Sequence, residues 1–235
     1  MSRITTGWLA RHTPQGPGGR QAALIDIAQD LLLAQLCQQG IFDHLVFKGG
    51  TALRKLYAGN AGRFSTDLDF SVRNPDDEPE AVAELLRGEI NGQDIDGFRY
   101  FVEDHRGRAQ VRYETPFGGV GNLTTKLDIG PAPWLPPDQR GWVRLPVHAA
   151  YNLPPAIPVM SLAENMAEKI ARLTRADHPP RGRLRRRQHR HTRGPATQPR
   201  RSRRSTADAL RLSYRPEQHR TADRRGGRRQ PKPRT

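Results

Sequence analysis

The sequence predicts an α+β fold with a core of ordinary domain size. A long helical stretch comes first, two short strands with helices around them follow, and a run of strands then precedes one last helix. The length of 235 residues fits one domain, or one domain with an appendage. We therefore predict an N-terminal extension over 1–21, a core over 22–176 and a separate tail over 177–235.

Helices are predicted where apolar residues recur at helical spacing. The longest such stretch ends at Gly40, which fits a C-cap glycine. The last helix begins with Ser161 as its N-cap and has Glu164 at the capping-box position three residues later. The predicted helices cover residues 20–39, 51–58, 78–89 and 161–176.

Strands are predicted where polar and apolar residues alternate between turn residues. The segment "TDLDFSV" shows this alternation, and Gly, Pro and Asp separate the later segments. The predicted strands cover residues 42–48, 66–72, 98–105, 110–115, 122–130 and 142–147.

The net charge of +15 belongs to the last part of the chain. Residues 179–235 hold 20 of the 39 Lys and Arg residues and 3 of the 24 Asp and Glu residues, which leaves 19 basic and 21 acidic groups for the first 178 residues. The tail lacks the apolar periodicity of a packed core, which predicts disorder. Three interpretations stay open: an arginine-rich element that binds RNA phosphates, translation out of frame, or a segment with some order.

The cysteine content and the absence of long apolar stretches bear on the compartment. The single cysteine, Cys37, excludes an intrachain disulfide and is compatible with a reducing compartment. No stretch approaches the roughly 18 to 20 apolar residues of a membrane span, and the N-terminal residues lack the apolar core of a signal peptide. We therefore predict a cytoplasmic protein with no membrane partner.

Two aspartates flank one leucine in the second predicted strand. Side chains at i and i+2 of a strand point to the same face, so Asp67 and Asp69 project together while Leu68 faces the other side. Two neighbouring carboxylates repel each other unless a cation lies between them. Mg²⁺ suits such a pair, because it takes a few carboxylate oxygens and leaves its other positions to water and phosphate.

A glycine-rich turn precedes this strand. Gly49 and Gly50 lack a Cβ and would let a polyphosphate approach the backbone, and the N–H groups that open the helix after Thr51 would face it. The turn is not a Walker A loop, because no G-x-x-x-x-G-K-[ST] pattern is present.

The two motifs together resemble a known family. "FKGGTALRKLY" followed by "RFSTDLDFSV" is similar to the minimal nucleotidyltransferases of the AbiEii type, which are toxins of type IV toxin–antitoxin systems. The resemblance covers residues 22–174. It implies a polymerase-β-like core with helices packed on a mixed sheet, Mg²⁺-dependent transfer of a nucleoside monophosphate from an NTP, tRNA as acceptor in some members, and a cognate antitoxin as partner.

The resemblance also implies roles for individual residues. A third acid on a later strand, best matched by Asp128, would help to deprotonate the acceptor hydroxyl, although a strand-end aspartate is the simpler interpretation. The motif "KIARLT" matches a helical lysine that holds the triphosphate. The implied catalytic residues are Asp67, Asp69 and Asp128, the metal ligands are Asp67 and Asp69, and the nucleotide-binding residues are Gly49, Gly50, Thr51, Ser65, Lys126, Lys169 and Thr174.

The sequence departs from the family pattern after the last helix. Family members continue with an Arg-Asp-x-x-Asp segment and a helical C-terminal region, whereas no aspartate occurs here between Asp177 and Asp208. We therefore expect the C-terminal helical lobe to be missing or replaced by the basic tail, and activity of this form stays open. Two other functions also stay open: a nucleotidyltransferase that modifies a small molecule such as an antibiotic, and a non-enzymatic RNA-binding protein.

Overall fold

The described part of the chain forms one mixed sheet with helices packed against it. The structure is a computed structural model and describes residues 4–14, 19–118 and 123–176. The helices are α1 Thr6–His12, α2 Gly19–Gln38, α3 Gly49–Leu53, α4 Pro79–Ile90 and α5 Leu162–Ala176. The strands are β1 Leu45–Lys48, β2 Leu68–Val72, β3 Asp94–Ile95, β4 Phe98–His105, β5 Arg108–Glu114, β6 Leu123–Gly130, β7 Asp138–Arg140 and β8 Ile157–Val159.

The sheet has the strand order β3-β4-β5-β6-β2-β1-β8-β7 among the described residues. The β2–β6 and β1–β8 pairs are parallel, and the other pairs are antiparallel. This mixed sheet with packed helices confirms the predicted α+β fold. The three strands β6, β2 and β1 lie side by side, so residues from distant parts of the sequence meet there.

Helix α2 lies against the sheet and is buried along most of its length. The prediction of a helix over 20–39 is confirmed, and Gly40 follows it with a φ of 75°, the left-handed conformation that glycine adopts most easily. The prediction of a helix over 51–58 also holds, although the helix begins at Gly49 and widens into a π-helical turn over Arg54–Ala58.

The predicted strand over 142–147 is wrong. Strand β7 lies before this segment, and a 3₁₀ turn over Pro146–Ala150 occupies its end. Pro146 has no N–H to donate to a ladder, while the indole of Trp142 donates to Asp30, 2.9 Å away. Tertiary contacts of single residues therefore replace strand pairing. Helix α1 and strands β3, β7 and β8 were not predicted.

The predicted cap of helix α5 is only partly formed. The Ser161 Oγ accepts a hydrogen bond from the Glu164 N–H at 3.2 Å, as an N-cap should. The Glu164 carboxylate instead accepts from the backbone N–H groups of Trp134 and Leu135, at 2.7 and 3.0 Å. Glu164 thus fixes the 131–137 loop against the start of the helix.

Two aspartates of helix α2 form the centre of a buried ionic network. Asp26 contacts His12 at 2.8 Å, Arg54 at 3.0 Å and Lys55 at 2.8 Å. All four side chains are at most 6% exposed. Charges buried to this degree are tolerated only when they are paired and hydrogen-bonded. Asp26 therefore fixes α1 and the π-helical turn to the central helix.

The second aspartate, Asp30, is fully enclosed. It accepts from Lys55 at 2.8 Å, Trp142 at 2.9 Å and Tyr151 at 2.8 Å, and His148 lies 3.3 Å away. Burial would raise the pKa of Asp30, but the opposing effects of Lys55 and His148 hold it well below its usual range. The carboxylate is therefore ionised in the folded protein, and it joins the 142–151 segment to helix α2.

The predictions for the arginine-rich tail over 177–235 lie outside the described residues. Within the part of the chain that the structure describes, none of the helices has the length and apolar character that crossing a membrane requires.

Candidate active site

Three carboxylates gather where strands β2 and β6 run side by side. Asp69 of β2 and Asp128 of β6 are register partners in the parallel ladder, and Leu68 is paired with Leu127 one step earlier. Because register partners of neighbouring strands share a face, Asp69 and Asp128 project together while both leucines are buried on the other face. Asp67, two residues before Asp69, joins them at the start of β2.

The crowding of these carboxylates affects the pKa of Asp69. Burial and the neighbouring Asp67 raise the pKa of Asp69 above its usual range, Asp128 adds to the effect, and Arg172 and Lys48 offset part of it. Carboxylates whose ionised forms destabilise one another favour a bound cation or a proton. The cluster is therefore suited to a cation.

The carboxylates line an open cleft of about 390 Å³. Its other side comes from the β4–β5 hairpin, through Gly107 and Arg108, and from Lys126 of β6. Lys126 is exposed and lies two residues before Asp128, on the same strand face, as the sequence predicts. The cleft thus combines negative charge at its floor with positive charge at its edge.

The glycine turn lies directly against the carboxylates. Gly49 has a φ of 80°, and a Cβ at this position would overlap the Asp69 carboxylate. A Cβ at Gly50 would lie 3.1 Å from the Ser65 Oγ. The structure therefore brings Gly49, Gly50, Ser65 and Asp69 together, and the first turn of the helix that begins at Gly49 faces the acidic cluster.

Two buried threonines fix the loop that carries Asp67. The Thr51 hydroxyl donates to the backbone carbonyl of Asp67, and the Thr125 hydroxyl donates to that of Thr66. Gln29 in turn donates to the Thr125 Oγ1 at 3.0 Å. Thr51 was predicted to belong to the turn that cradles the phosphates, and its contact with a nucleotide stays a prediction; its buried hydroxyl positions Asp67. Thr125 was not predicted, because its partner is distant in the sequence.

Helix α5 is tied to the same site by an ion pair that the sequence patterns did not predict. Lys48 is the register partner of Asp69 on the other neighbouring strand, and its Nζ lies 3.0 Å from Glu168 of α5. Arg172, one turn further along α5, is close enough to lower the pKa of Asp69. The sequence does contain a signal for Lys48, because a lysine at the end of a buried strand and directly before a Gly-Gly turn is unusual enough to suggest a role in the site.

The two predicted residues of α5 are not among the residues that line the carboxylate cleft. Lys169 is exposed and does not line the cleft among the described residues. Thr174 is also exposed, and its hydroxyl donates to the carbonyl of Ala171 at 3.0 Å. Their contact with a nucleotide stays a prediction.

The donor set fits Mg²⁺ without forming a complete protein cage. No three Asp, Glu, His or Cys side chains within residues 4–14, 19–118 and 123–176 are already arranged as a metal-binding group. Mg²⁺ usually takes one or two carboxylates and completes its shell with water and substrate phosphates. Asp67 and Asp69, which line an open cleft, match that requirement.

Comparison with known proteins agrees with this geometry. A family model described as the nucleotidyl transferase AbiEii toxin of type IV TA systems matches residues 30–192, well over half of the chain. The chain belongs to the AbiEii family. The match includes both motifs and extends past the predicted core boundary at 176.

A solved structure is similar to this AbiEii family member. MenT4, a nucleotidyltransferase toxin from Mycobacterium tuberculosis H37Rv, is 37% identical, with a TM-score of 0.64 and coverage of 73% of this chain. The chain spans 60% of the length of the MenT4 chain. No curated protein matches the sequence.

The close contact between Gly49 and Asp69 predicts that this AbiEii family member needs a glycine at position 49. Gly49→Ala should lower transfer activity roughly 10²-fold, because a Cβ would displace the Asp69 carboxylate by about the 1 Å that such losses require. Gly92→Ala is the matched control, since Gly92 has a φ of 83° and nothing within 4 Å of its added Cβ. Both variants should lose about 1 to 2 kcal/mol in the free energy of unfolding through backbone strain. Gly49→Ala should lose more than Gly92→Ala, because only its Cβ overlaps another side chain. Equal activity of the two would contradict the role of Gly49.

Proposed function

We propose that the chain is a Mg²⁺-dependent nucleotidyltransferase that moves a nucleoside monophosphate from an NTP to tRNA. It acts as the toxin of a toxin–antitoxin pair, in the cytoplasm where both substrates occur. One observation carries the proposal: Asp69 and Asp128 are register partners, Asp67 adjoins them, and the glycine turn at Gly49 lies against their carboxylates.

The residues divide the reaction between them. Asp67 and Asp69 would hold the metal, which when bound supplies positive charge to the phosphates. The acceptor hydroxyl oxygen bonds to the α-phosphorus, the bond from this phosphorus to the β-phosphate oxygen breaks, and pyrophosphate leaves. Asp128 takes the proton of the hydroxyl. The backbone N–H groups after Gly49 and Gly50 face the triphosphate.

The shape and charge of the cleft support a large acceptor. It is open to solvent, and Arg108 and Lys126 at its edge suit the phosphates of a nucleic acid. Incubation with radiolabelled NTPs, Mg²⁺ and total tRNA tests the proposal, with chelator as the control. Labelled tRNA is the expected result. No labelled tRNA, or labelling of an aminoglycoside only, would contradict it, and the second outcome would favour the small-molecule alternative.

The nucleotide contact of Lys169 is tested separately. Lys169→Ala should weaken NTP binding by roughly 1.5 to 3 kcal/mol, the range of a hydrogen bond to a charged group. Titration calorimetry with a non-hydrolysable NTP and Mg²⁺ measures this change. Lys126→Ala gives the comparison within the cleft, and Arg87→Ala, which removes a cation paired with Asp104 on the β4 side, is the control. Unchanged affinity of Lys169→Ala would assign Lys169 to the solvated surface of α5.

A further inference from the structure

A second cleft lies at the other end of the short loop that carries Asp67. It has a volume of about 320 Å³ and is formed by helix α1, the 59–65 segment and the start of the 3₁₀ turn at Pro146. Trp8, His12 and Phe64 are its aromatic lining residues. We call it the α1 cleft. None of its lining residues has a role in the transfer step derived above.

Two of the three aromatic side chains of the α1 cleft have a guanidinium over the ring. The Arg11 guanidinium lies 4.1 Å from the centroid of the Trp8 ring, and the Arg54 guanidinium lies 4.2 Å from that of Phe64. The His12 and Phe64 rings meet edge to face at 5.6 Å. Trp8 and Phe64 are half-buried, so part of each ring reaches the cleft. Rings in this setting suit a flat, electron-rich partner that carries negative charge.

The exposed charged residues on the segments that form the α1 cleft are all arginines. The segments 4–14, 59–65 and 143–148 contain the exposed residues Arg11, Arg63 and Arg144 but no aspartate or glutamate. Asp26, which His12 contacts, is buried and already paired with two cations. The first 178 residues are close to neutral as a whole, so this concentration of positive charge is local. An anionic ligand is therefore favoured at this place.

The α1 cleft and the carboxylate cleft lie at the two ends of one short loop. Phe64 lines the first and Asp67 lines the second, so their Cα atoms are at most about 11 Å apart. The hydroxyls of Thr51 and Thr125 fix this loop. A chain with a nucleotide in the α1 cleft could thus present its neighbouring nucleotide to Asp67 and Asp69.

We propose that the α1 cleft binds an unpaired nucleotide near the 3′ end of the RNA acceptor. The base stacks on Trp8 and Phe64, and the adjoining phosphates lie near Arg11, Arg63 and Arg144, the combination of aromatic platform and basic groove by which proteins hold single strands. The inference rests on the proposed function, since it assigns part of the same substrate. The donor NTP has a base and phosphates as well, and the experiment separates the two sources.

Binding of two RNA hairpins by the full chain tests this inference. The hairpins share one duplex, and one of them has a four-nucleotide 3′ overhang. Fluorescence anisotropy at fixed salt measures the affinity of the protein for each hairpin. Contacts to duplex phosphates, including any that the arginine-rich tail makes, then cancel in the comparison. Trp8→Ala should weaken binding of the overhang roughly 5- to 150-fold, the loss of one base stack, and leave the blunt hairpin unchanged. Trp8→Phe should retain most of the binding.

Two further variants make the test independent of folding. Trp134→Ala is the matched control, because Trp134 is 95% exposed and lies outside the α1 cleft; it should bind both hairpins like the parent protein. Arg144→Glu changes an exposed side chain, and it should weaken overhang binding and lower the slope of log affinity against log salt by about 1.

The outcomes are distinct. Overhang binding that both Trp8→Ala and Arg144→Glu leave intact would overturn the inference. A change confined to NTP binding, measured with each of the four NTPs in the same variants, would also overturn it by assigning the α1 cleft to the donor. Loss of overhang binding in a protein that transfers no nucleotide would support the RNA site while the proposed function fails.

Discussion

Asp69→Asn should lower the transfer rate about 10³-fold. The substitution removes one ligand charge from the pair that would hold Mg²⁺, and a bound metal supplies several kcal/mol to the transition state of such reactions. The amide has nearly the same shape, so the contact with Gly49 is retained. Single-turnover transfer from a labelled NTP measures the effect, and Asp67→Asn should behave alike. Parental rates in both variants would contradict the proposed site.

The stability of this variant separates chemistry from folding. Because burial and Asp67 raise the pKa of Asp69 in the folded state, the ionised carboxylate at neutral pH destabilises the fold without metal, and this cost falls as the pH falls through the raised pKa. Asp69→Asn removes the charge, so its Tm without metal should be equal to or above that of the parent protein. Asp76→Asn, at an exposed turn, is the control and should change neither the transfer rate nor the Tm. A lower Tm for Asp69→Asn would contradict the repulsion inferred among these carboxylates.

Lys55→Met should lower the free energy of unfolding by about 3 to 5 kcal/mol. Lys55 is 1% exposed and contacts Asp26 and Asp30, each at 2.8 Å. Methionine keeps most of the volume but leaves two neighbouring buried carboxylates without their shared cation, and breaking a buried pair on one side has a cost of this size. Urea denaturation followed by circular dichroism measures the change.

An exposed ion pair provides the comparison for Lys55. Arg87→Met breaks a pair with Asp104, whose side chain is 60% exposed, and should change the free energy of unfolding far less, because water screens an exposed pair. A loss below about 1 kcal/mol for Lys55→Met would contradict the contribution of the network to stability.

The stability that the network provides should also depend on pH. The pKa of Asp30 is held below the ordinary value of 3.8 in the folded state. The contribution of Asp30 to the free energy of unfolding is therefore present above about pH 4 and is lost as the pH falls further.

The parts of the site that could be predicted are those encoded by neighbouring residues. The shared direction of Asp67 and Asp69 follows from the two-residue repeat of a strand, and the position of the glycine turn follows from the residues on either side of it. The position of Asp128 was implied by the family resemblance, and the structure places it beside Asp69. The strand predicted over 142–147 is wrong although its polar and apolar residues alternate as in a strand. The segment pairs with no neighbouring strand among the described residues, and its hydrogen bonds go to single distant residues such as Asp30.

The sequence by itself determined the α+β fold class, the long central helix, and the two motifs that indicate the AbiEii family, because each depends on periodicity or spacing over a few residues. Only the tertiary structure decided which of these segments meet. The Lys48–Glu168 pair spans 120 residues and the Trp142–Asp30 bond spans 112. Such contacts depend on the order of strands in the sheet and on which helix covers it. A local pattern of apolar and polar residues fixes the face that a segment buries, but many partners can bury that face equally well, and the choice among them is made by the packing of the whole core.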